Sequence, residues 1–363
     1  MKEDNKIKVG ITHGDINGIG YEVILKAIED PAITELCTPV IYGSAKIAQY
    51  YRKALDIPGQ LRQVPTAEDA RAGECSIINV VDEDTKLDPG QSTAVAGQAA
   101  FAALERAVAD LQSGAIDVLV TAPINKHNIQ SDTFHFPGHT EYLEASLSDG
   151  SDHALMILCC DNLRVALVTT HAPIASLHDL ITKELVAEKI SALNSALIKD
   201  FGITAPRIAV LALNPHAGEN GLLGKEEQEV IIPAIDEARA NKITVFGPYA
   251  SDGFFGSGAF SKFDGVLAMY HDQGLAPFKA LAMDRGVNFT AGLSHVRTSP
   301  DHGTGYDITC KGIADATSMR EAIYTAIDCL RTRRRDTAMR RNPLRKQYYE
   351  KGRDNVVLDL TSD

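Results

Sequence analysis

The sequence predicts an α/β protein of two domains built on parallel strands, and three observations predict it. Short apolar, β-branched runs alternate with helical patterns along most of the chain, the mark of strand–helix–strand units. At 363 residues the chain exceeds the size at which one hydrophobic core keeps growing. Its 44% hydrophobic and 23% charged residues are ordinary for a globular chain in water.

The elements follow in order. Ile7-Lys-Val-Gly-Ile-Thr reads as the first strand, then a glycine-rich turn, then a helix from about Tyr21 to Glu29. Val40-Ile-Tyr-Gly is the next strand. From Ser92 to Ser113, Phe101, Leu104, Val108 and Leu111 recur at helical spacing, and Gly114 closes the helix. Asp117-Val-Leu-Val-Thr follows as a strand. Ala154-Leu-Met-Ile-Leu and Leu163-Arg-Val-Ala-Leu-Val-Thr-Thr read as neighbouring strands across a short turn. A helix from Thr182 to Lys199 carries Val186, Ile190, Leu193 and Leu197 on one stripe. Arg207-Ile-Ala-Val-Leu-Ala-Leu, a helix near Glu226 to Ala240, and Phe263-Asp-Gly-Val-Leu-Ala-Met-Tyr complete the pattern. No Pro/Ser-rich linker interrupts the chain, so any domain boundary is crossed by ordinary loops or strands.

The net charge of −12 argues against nucleic acid as a partner. Arg331, Arg333, Arg334, Arg335, Arg340, Arg341, Arg345 and Lys346 read as the solvated face of a terminal helix. The six cysteines form no C-x-x-C pair and fit free thiols of a reducing compartment. With neither an apolar leader nor a membrane-length run, a cytoplasmic protein is expected.

Three apolar runs end in histidine: Val165-Ala-Leu-Val-Thr-Thr-His171, Val210-Leu-Ala-Leu-Asn-Pro-His216 and Val266-Leu-Ala-Met-Tyr-His271. Ligands of open parallel sheets bind outside the carboxyl ends of strands. Three imidazoles there suit a Zn²⁺, Mn²⁺ or Co²⁺ site with coordination left open for substrate. Asp272 offers a carboxylate to orient His271. Lys279, Asn288 and Arg297 supply the point charge, amide donors and bidentate fork that a phosphate wants. Two helix N-termini could add amides for an anion, the one opened by Gly14-Asp-Ile-Asn-Gly-Ile-Gly20 and the one after Gly138-His139-Thr140-Glu141. The first is not a Rossmann fingerprint, because Val23 stands where a third glycine or alanine is required. Nor is Gly218 to Lys225 a P-loop, since Glu219 and Glu226 break it.

Eight segments together resemble the 4-hydroxythreonine-4-phosphate dehydrogenase family of vitamin B6 biosynthesis. They are Gly14–Gly20, Thr121-Ala-Pro-Ile-Asn-Lys126, Gly138-His-Thr-Glu-Tyr-Leu143, Thr170-His-Ala-Pro173, Leu213-Asn-Pro-His-Ala-Gly-Glu219, Gly247-Pro-Tyr-Ala-Ser-Asp252, Tyr270-His-Asp-Gln-Gly274 and Arg297-Thr-Ser-Pro-Asp-His-Gly303. The resemblance implies a non-Rossmann, isocitrate/isopropylmalate-dehydrogenase-like fold, two α/β domains with a cleft between them. Residues 1–130 plus 298–363 would form the cofactor side, and 131–297 the metal-histidine and dimer side. It also implies metal ligands at His171, His216 and His271, in a homodimer where one histidine comes from the partner. Substrate contacts fall on His139, Thr140, Lys279, Asn288 and Arg297. NAD is assigned to the stretch containing Ser299, Asp301, His302 and Gly303, taken as a loop.

The implied reaction is metal-dependent NAD oxidation of 4-phosphooxy-L-threonine and decarboxylation, with Zn, Co or Mg and with Lys126 or Asp272 as base. The same chemistry on D-threonate or D-erythronate 4-phosphate, or a three-histidine zinc hydrolase, are the rival readings. Where the family commonly has prolines in the first turn, this chain has Ile16 and Tyr21, which should loosen that turn.

Overall fold

The computed structural model describes residues 6–132, 134–147 and 154–341. One mixed sheet runs through them. Its strands are β1 (Ile7–Thr12), β2 (Cys37–Gly43), β3 (Arg62–Gln63), β4 (Ser76–Asn79), β5 (Val118–Thr121), β6 (Leu155–Cys160), β7 (Leu163–Leu167), β8 (Ile208–Leu211), β9 (Val245–Tyr249), β10 (Gly265–Ala268), β11 (Val287–Ala291) and β12 (Arg297–Pro300). They lie in the order β3-β4-β2-β1-β5-β12-β11-β6-β7-β10-β8-β9. This is not the Rossmann order.

The sheet is not wholly parallel, which corrects the sequence expectation. β6 pairs antiparallel with both β7 and β11, and β11 pairs antiparallel with β12. The reason is local for β6 and β7. Only Asp161 and Asn162 join them, with Asp161 at φ 49°, and so tight a link can join antiparallel strands only. Thr298–Pro300, expected to open a loop that runs to Gly303, belong instead to the interior strand Arg297–Pro300, parallel to β5.

Helices start and stop where side chains can satisfy their ends. Thr93 accepts from the Ala96 amide to open Ala94–Ser113, and Gly114 closes it at φ 78°. Thr182 caps Lys183–Lys199 in the same way. The expected apolar stripes (Leu104, Val108 and Leu111; Val186, Ile190, Leu193 and Leu197) are buried against the sheet, each side chain contributing roughly 1.5–3 kcal/mol by leaving water. Helix Thr317–Arg341 covers β12 and β5, and Arg333 and Arg334 are paired with Asp200 and Asp117. Arg345 and Lys346 lie outside the described residues. All six cysteines are free. No helix among the described residues is long and apolar enough to cross a membrane.

The glycine-rich first turn spends four of its amides on the chain itself. Those of Asp15, Asn17, Gly18 and Ile19 are taken by Pro123 O, Asp15 Oδ1, Asp15 O and Thr304 O. Gly18 is required because a Cβ there would lie 2.5 Å from the Thr304 carbonyl oxygen. Buried Asp15 accepts from Tyr306 (2.7 Å) and Asn128 (2.8 Å), which straps the turn under the later chain. Packing compensates for the absent prolines. Tyr21 is stacked between His13 and Tyr51, at centroid distances of 5.4 and 5.6 Å, and Tyr51 donates to Ile16 O at 2.8 Å.

Burial pulls His13 down to about 4 from its ordinary value. A base depressed in the fold is protonated first in the unfolded chain. Its contribution is therefore complete above pH 6.5 and is lost as pH falls toward 4, by roughly 3 kcal/mol. Urea unfolding followed across this window should show the loss, and His13→Phe should lower the slope by about one proton, whatever its absolute stability.

Candidate active site

Alternation along four central strands builds the site. Thr121 on β5, Arg297 and Ser299 on β12, Asn288 and Thr290 on β11, and Met156 on β6 share one face of the sheet, as the pairings Thr290↔Arg297, Asn288↔Ser299 and Thr290↔Met156 require. A cleft crosses this face. The loop after β5 adds Lys126, the helix His139–Leu147 adds His139, Thr140 and Glu141, and His171 and Lys279 come from the other side. The cleft therefore lies at the carboxyl edge of β5, β12 and β7, where Lys126, Asp301 and His171 follow the strands.

Arg297 forms the floor. It is 2% exposed and, among the described residues, no carboxylate pairs with it directly; its guanidinium donates to Thr121 Oγ1 (2.6 and 3.2 Å) and Thr290 Oγ1 (3.0 Å). Burial lowers its pKa to about 10, a value at which it stays charged at neutral pH. Burial, then the charges of Arg297 and Lys126, push His139 well below the usual histidine range. Around the cleft, His139 Nε2, Asn288 Oδ1, Asp301 Oδ2 and His302 Nε2 are buried without a hydrogen-bond partner among the described residues. Buried polar atoms are rarely left so, and four in one cleft mark a place where a polar ligand completes the bonding.

His171, His216 and His271 follow β7, β8 and β10, and these strands are adjacent and parallel. His171 and His271 come together, their rings 6.1 Å apart and tilted by 36°. His271 Nδ1 donates to Asp272 Oδ1 at 2.6 Å, leaving Nε2 free. Lys126 Nζ donates to His171 Nε2 at 3.2 Å. A facing pair of imidazoles, one of them oriented by a carboxylate, suits a divalent ion of the zinc or cobalt kind.

His216 does not join them within one chain. Pro215 and a run of left-handed residues, His216, Ala217, Gly218, Glu219 and Asn220 (φ 43–76°), carry it into a separate cavity that Asn214, Asp272 and Gln273 also line. Among the described residues no three histidine, cysteine, aspartate or glutamate side chains of one chain could hold an ion. The left-handed backbone is strained by roughly 1–2 kcal/mol per non-glycine residue. Buried Glu227 anchors it, accepting from the amides of Leu213 (2.8 Å) and Asn214 (2.7 Å) and from Asn214 Nδ2 (3.0 Å).

A family model described as pyridoxal phosphate biosynthetic protein PdxA matches residues 35–326. The chain belongs to the PdxA family. It is 59% identical over 358 residues, 99% of this chain and 98% of the relative, to a 4-hydroxythreonine-4-phosphate dehydrogenase of Bacteroides thetaiotaomicron. It is 42% identical over 331 residues, 90% of this chain and 98% of the relative, to a D-threonate 4-phosphate dehydrogenase of Cupriavidus necator. A crystal structure of a 4-hydroxythreonine-4-phosphate dehydrogenase from Burkholderia phymatum superposes with a TM-score of 0.73 at 40% identity, covering 89% of this chain and 98% of that one. This is therefore a chain of a dehydrogenase family.

In this PdxA family member, Ser299, Asp301, His302 and Gly303 line the same cleft as Lys279 and Asn288. Asp301 pairs with Lys279 at 3.4 Å, and burial raises its pKa. Sequence reasoning missed Thr121 and Thr290, which hold Arg297, and it missed Glu227. Thr121 could have been found, because it ends an apolar strand with a polar residue just as the histidines do.

Inorganic phosphate should raise the melting temperature of this protein, and Arg297→Met should abolish that rise while remaining folded, as read by differential scanning fluorimetry. Glu227→Gln should cost about 2 kcal/mol in urea unfolding, through loss of charged acceptors for buried amides.

Proposed function

We propose that this cytoplasmic enzyme oxidises the secondary hydroxyl of 4-phosphooxy-L-threonine with NAD⁺, and that the resulting β-keto acid loses CO₂ to give 3-amino-2-oxopropyl phosphate. The observation that carries the reading is a buried cationic floor with unpartnered polar atoms in one cleft with His171, whose ring faces that of His271.

In this reading Arg297, Lys279, Asn288, His139 and Thr140 hold the phosphate. Arg297 gives a fixed fork and Lys279 a mobile charge. The phosphate then sets the distance from which the hydroxyl is presented to Lys126. Lys126 is the residue assigned to take the hydroxyl proton, because its amine lines the cleft beside His171. Asp272 is assigned to orienting His271 instead, since its carboxylate is bound to that ring and lines the other cavity. When bound, a divalent ion (Zn, Co or Mg) held by His171, His271 and His216 of the partner subunit would supply Lewis acidity, and NAD⁺ against Ser299, Asp301, His302 and Gly303 would accept the hydride. After CO₂ departs, the carbon that held it takes a proton.

A homodimer follows from the same reading. His216 projects on an exposed segment, and the apolar side chains Ile174 (80% exposed) and Leu222 (79% exposed) lie in the loops around it, which His178 and Glu226 link at 2.9 Å. Large exposed aliphatics beside an incomplete ligand set favour burial against a second copy. The second reading, oxidation of D-threonate or D-erythronate 4-phosphate, is supported by the Cupriavidus necator relative.

The test is NADH absorbance with each metal, NAD⁺ and the three phosphorylated acids in parallel. Metal-dependent signal from the amino acid is expected; signal from the other two alone would move the assignment to the sugar acids. His216→Ala should lower kcat roughly 100-fold or more while the protein stays folded. Full activity in that variant would remove the three-histidine assignment.

A further inference from the structure

We infer that Gln273 is a positioning residue of the metal site: its side-chain amide fixes where the strand end carrying His216 stands relative to the strand end carrying His271. The inference rests on the three-histidine reading above and deepens it.

β8 and β10 run side by side, and the last residues they pair are Val210 and Leu267. Beyond those the side chain of Gln273 takes over. It reaches back from the first turn of the helix His271–Ala282. Its Oε1 accepts from the Met269 amide at 2.7 Å, and its Nε2 donates to the Ala212 carbonyl at 2.5 Å. One primary amide thus spans the two strand ends, much as a peptide unit would. On the other side of β10, Thr169 donates its amide (3.2 Å) and its Oγ1 (2.8 Å) to the Met269 carbonyl. Met269 is therefore gripped from both neighbouring strand ends, and all four residues are buried.

The histidines follow at once. His171 and His271 lie two residues beyond Thr169 and Met269, and His216 lies four beyond Ala212. Between Ala212 and His216, Glu227 holds the amides of Leu213 and Asn214. The path from Gln273 to His216 is thus fixed at its root and at its middle. An apolar side chain at 273 could fill the space, but it would leave the Met269 N–H and the Ala212 carbonyl unsatisfied. Metal–imidazole bonds are short, about 2.0–2.1 Å, so a small shift of one strand end is felt in the coordination. In the proposed dimer His171 and His271 serve one ion and His216 serves the partner's. Gln273 therefore joins what each protomer gives to its own site to what it gives to the neighbouring one.

A plainer role for Gln273 is to close the core at the strand ends, which would affect stability and leave the ligands where they are. Co²⁺ distinguishes the two roles, because its visible absorption reports the number and geometry of its ligands. The protein, freed of metal, is titrated with Co²⁺ as wild type, Gln273→Met, His216→Ala and Tyr42→Phe. The last removes a 2.8 Å hydrogen bond from buried Tyr42 to Asp110, in the far half of the sheet, and controls for lost stability. We expect Gln273→Met to bind Co²⁺ about 10-fold more weakly, with a spectrum moved toward that of His216→Ala. Tyr42→Phe should bind it as the wild type does. Gln273→Glu keeps the acceptor for Met269, should fall between wild type and Gln273→Met, and carries the comparison if the methionine variant does not fold. Wild-type affinity and spectrum in the folded Gln273 variants overturn the inference and leave Gln273 a clasp of the core. An equal loss in Tyr42→Phe overturns it too. A wild-type Co²⁺ spectrum that His216→Ala does not change overturns the three-histidine reading and this inference with it.

Discussion

A guanidinium buried without a carboxylate governs the centre of this molecule. Arg297 is held between Thr121 on one neighbouring strand and Thr290 on the other, so its side chain ties three strands across the middle of the sheet. Two hydroxyls take a bond from each of its three nitrogens, and the carboxylate charge that reaches it, that of Glu141, stands beyond ion-pair distance. Burying an unpaired ion costs several kcal/mol, and the rest of the fold must supply that. It does so with a sheet buried on both faces and with helices capped at Thr93 and Thr182. The unpaired charge is the physical reason an anion is welcome in the cleft.

Much of the architecture was legible because local and global preferences agree. The helices ending at Gly114 and near Gly202 announce themselves by spacing and by a terminating glycine, and their apolar stripes are the buried ones. The strand Arg297–Pro300 was not legible. Its residues are polar and end in proline, so the segment reads as loop. It is buried only because Arg297, Thr298 and Ser299 find hydrogen-bond partners or the cleft on either side. The mixed character of the sheet was hidden for a related reason: an apolar run states that a strand is buried and says nothing of its direction.

The site was legible in part. The three histidines share a position at strand ends, and neighbouring strands carry them, but a common position is not a common point. The left-handed run at His216–Asn220 turns one of them away. Nothing in the residue types around it announces a left-handed turn, because only Gly218 and Asn220 favour that backbone. The anchor, Glu227, is a buried charge that sequence alone would place at the surface. In the first turn the glycines suggested an anion cradle, and they admit carbonyl groups of the chain, Gly14 that of Pro123, Gly18 that of Thr304 and Gly20 that of His13.

The sheet also constrains how the cleft can open. Two lobes joined by a linker could swing apart freely, but here a ladder of backbone hydrogen bonds runs unbroken from β3 to β9. Within that ladder β5 and β12 share only two residue pairs, Arg297↔Leu119 and Thr298↔Val120, fewer than at any other interior seam. Arg297 is one of the residues of that seam, and helix Thr317–Arg341 packs on the strands of both its sides. A group bound to its guanidinium would sit at the seam itself, linked through Thr121 and Thr290 to the strands on either side.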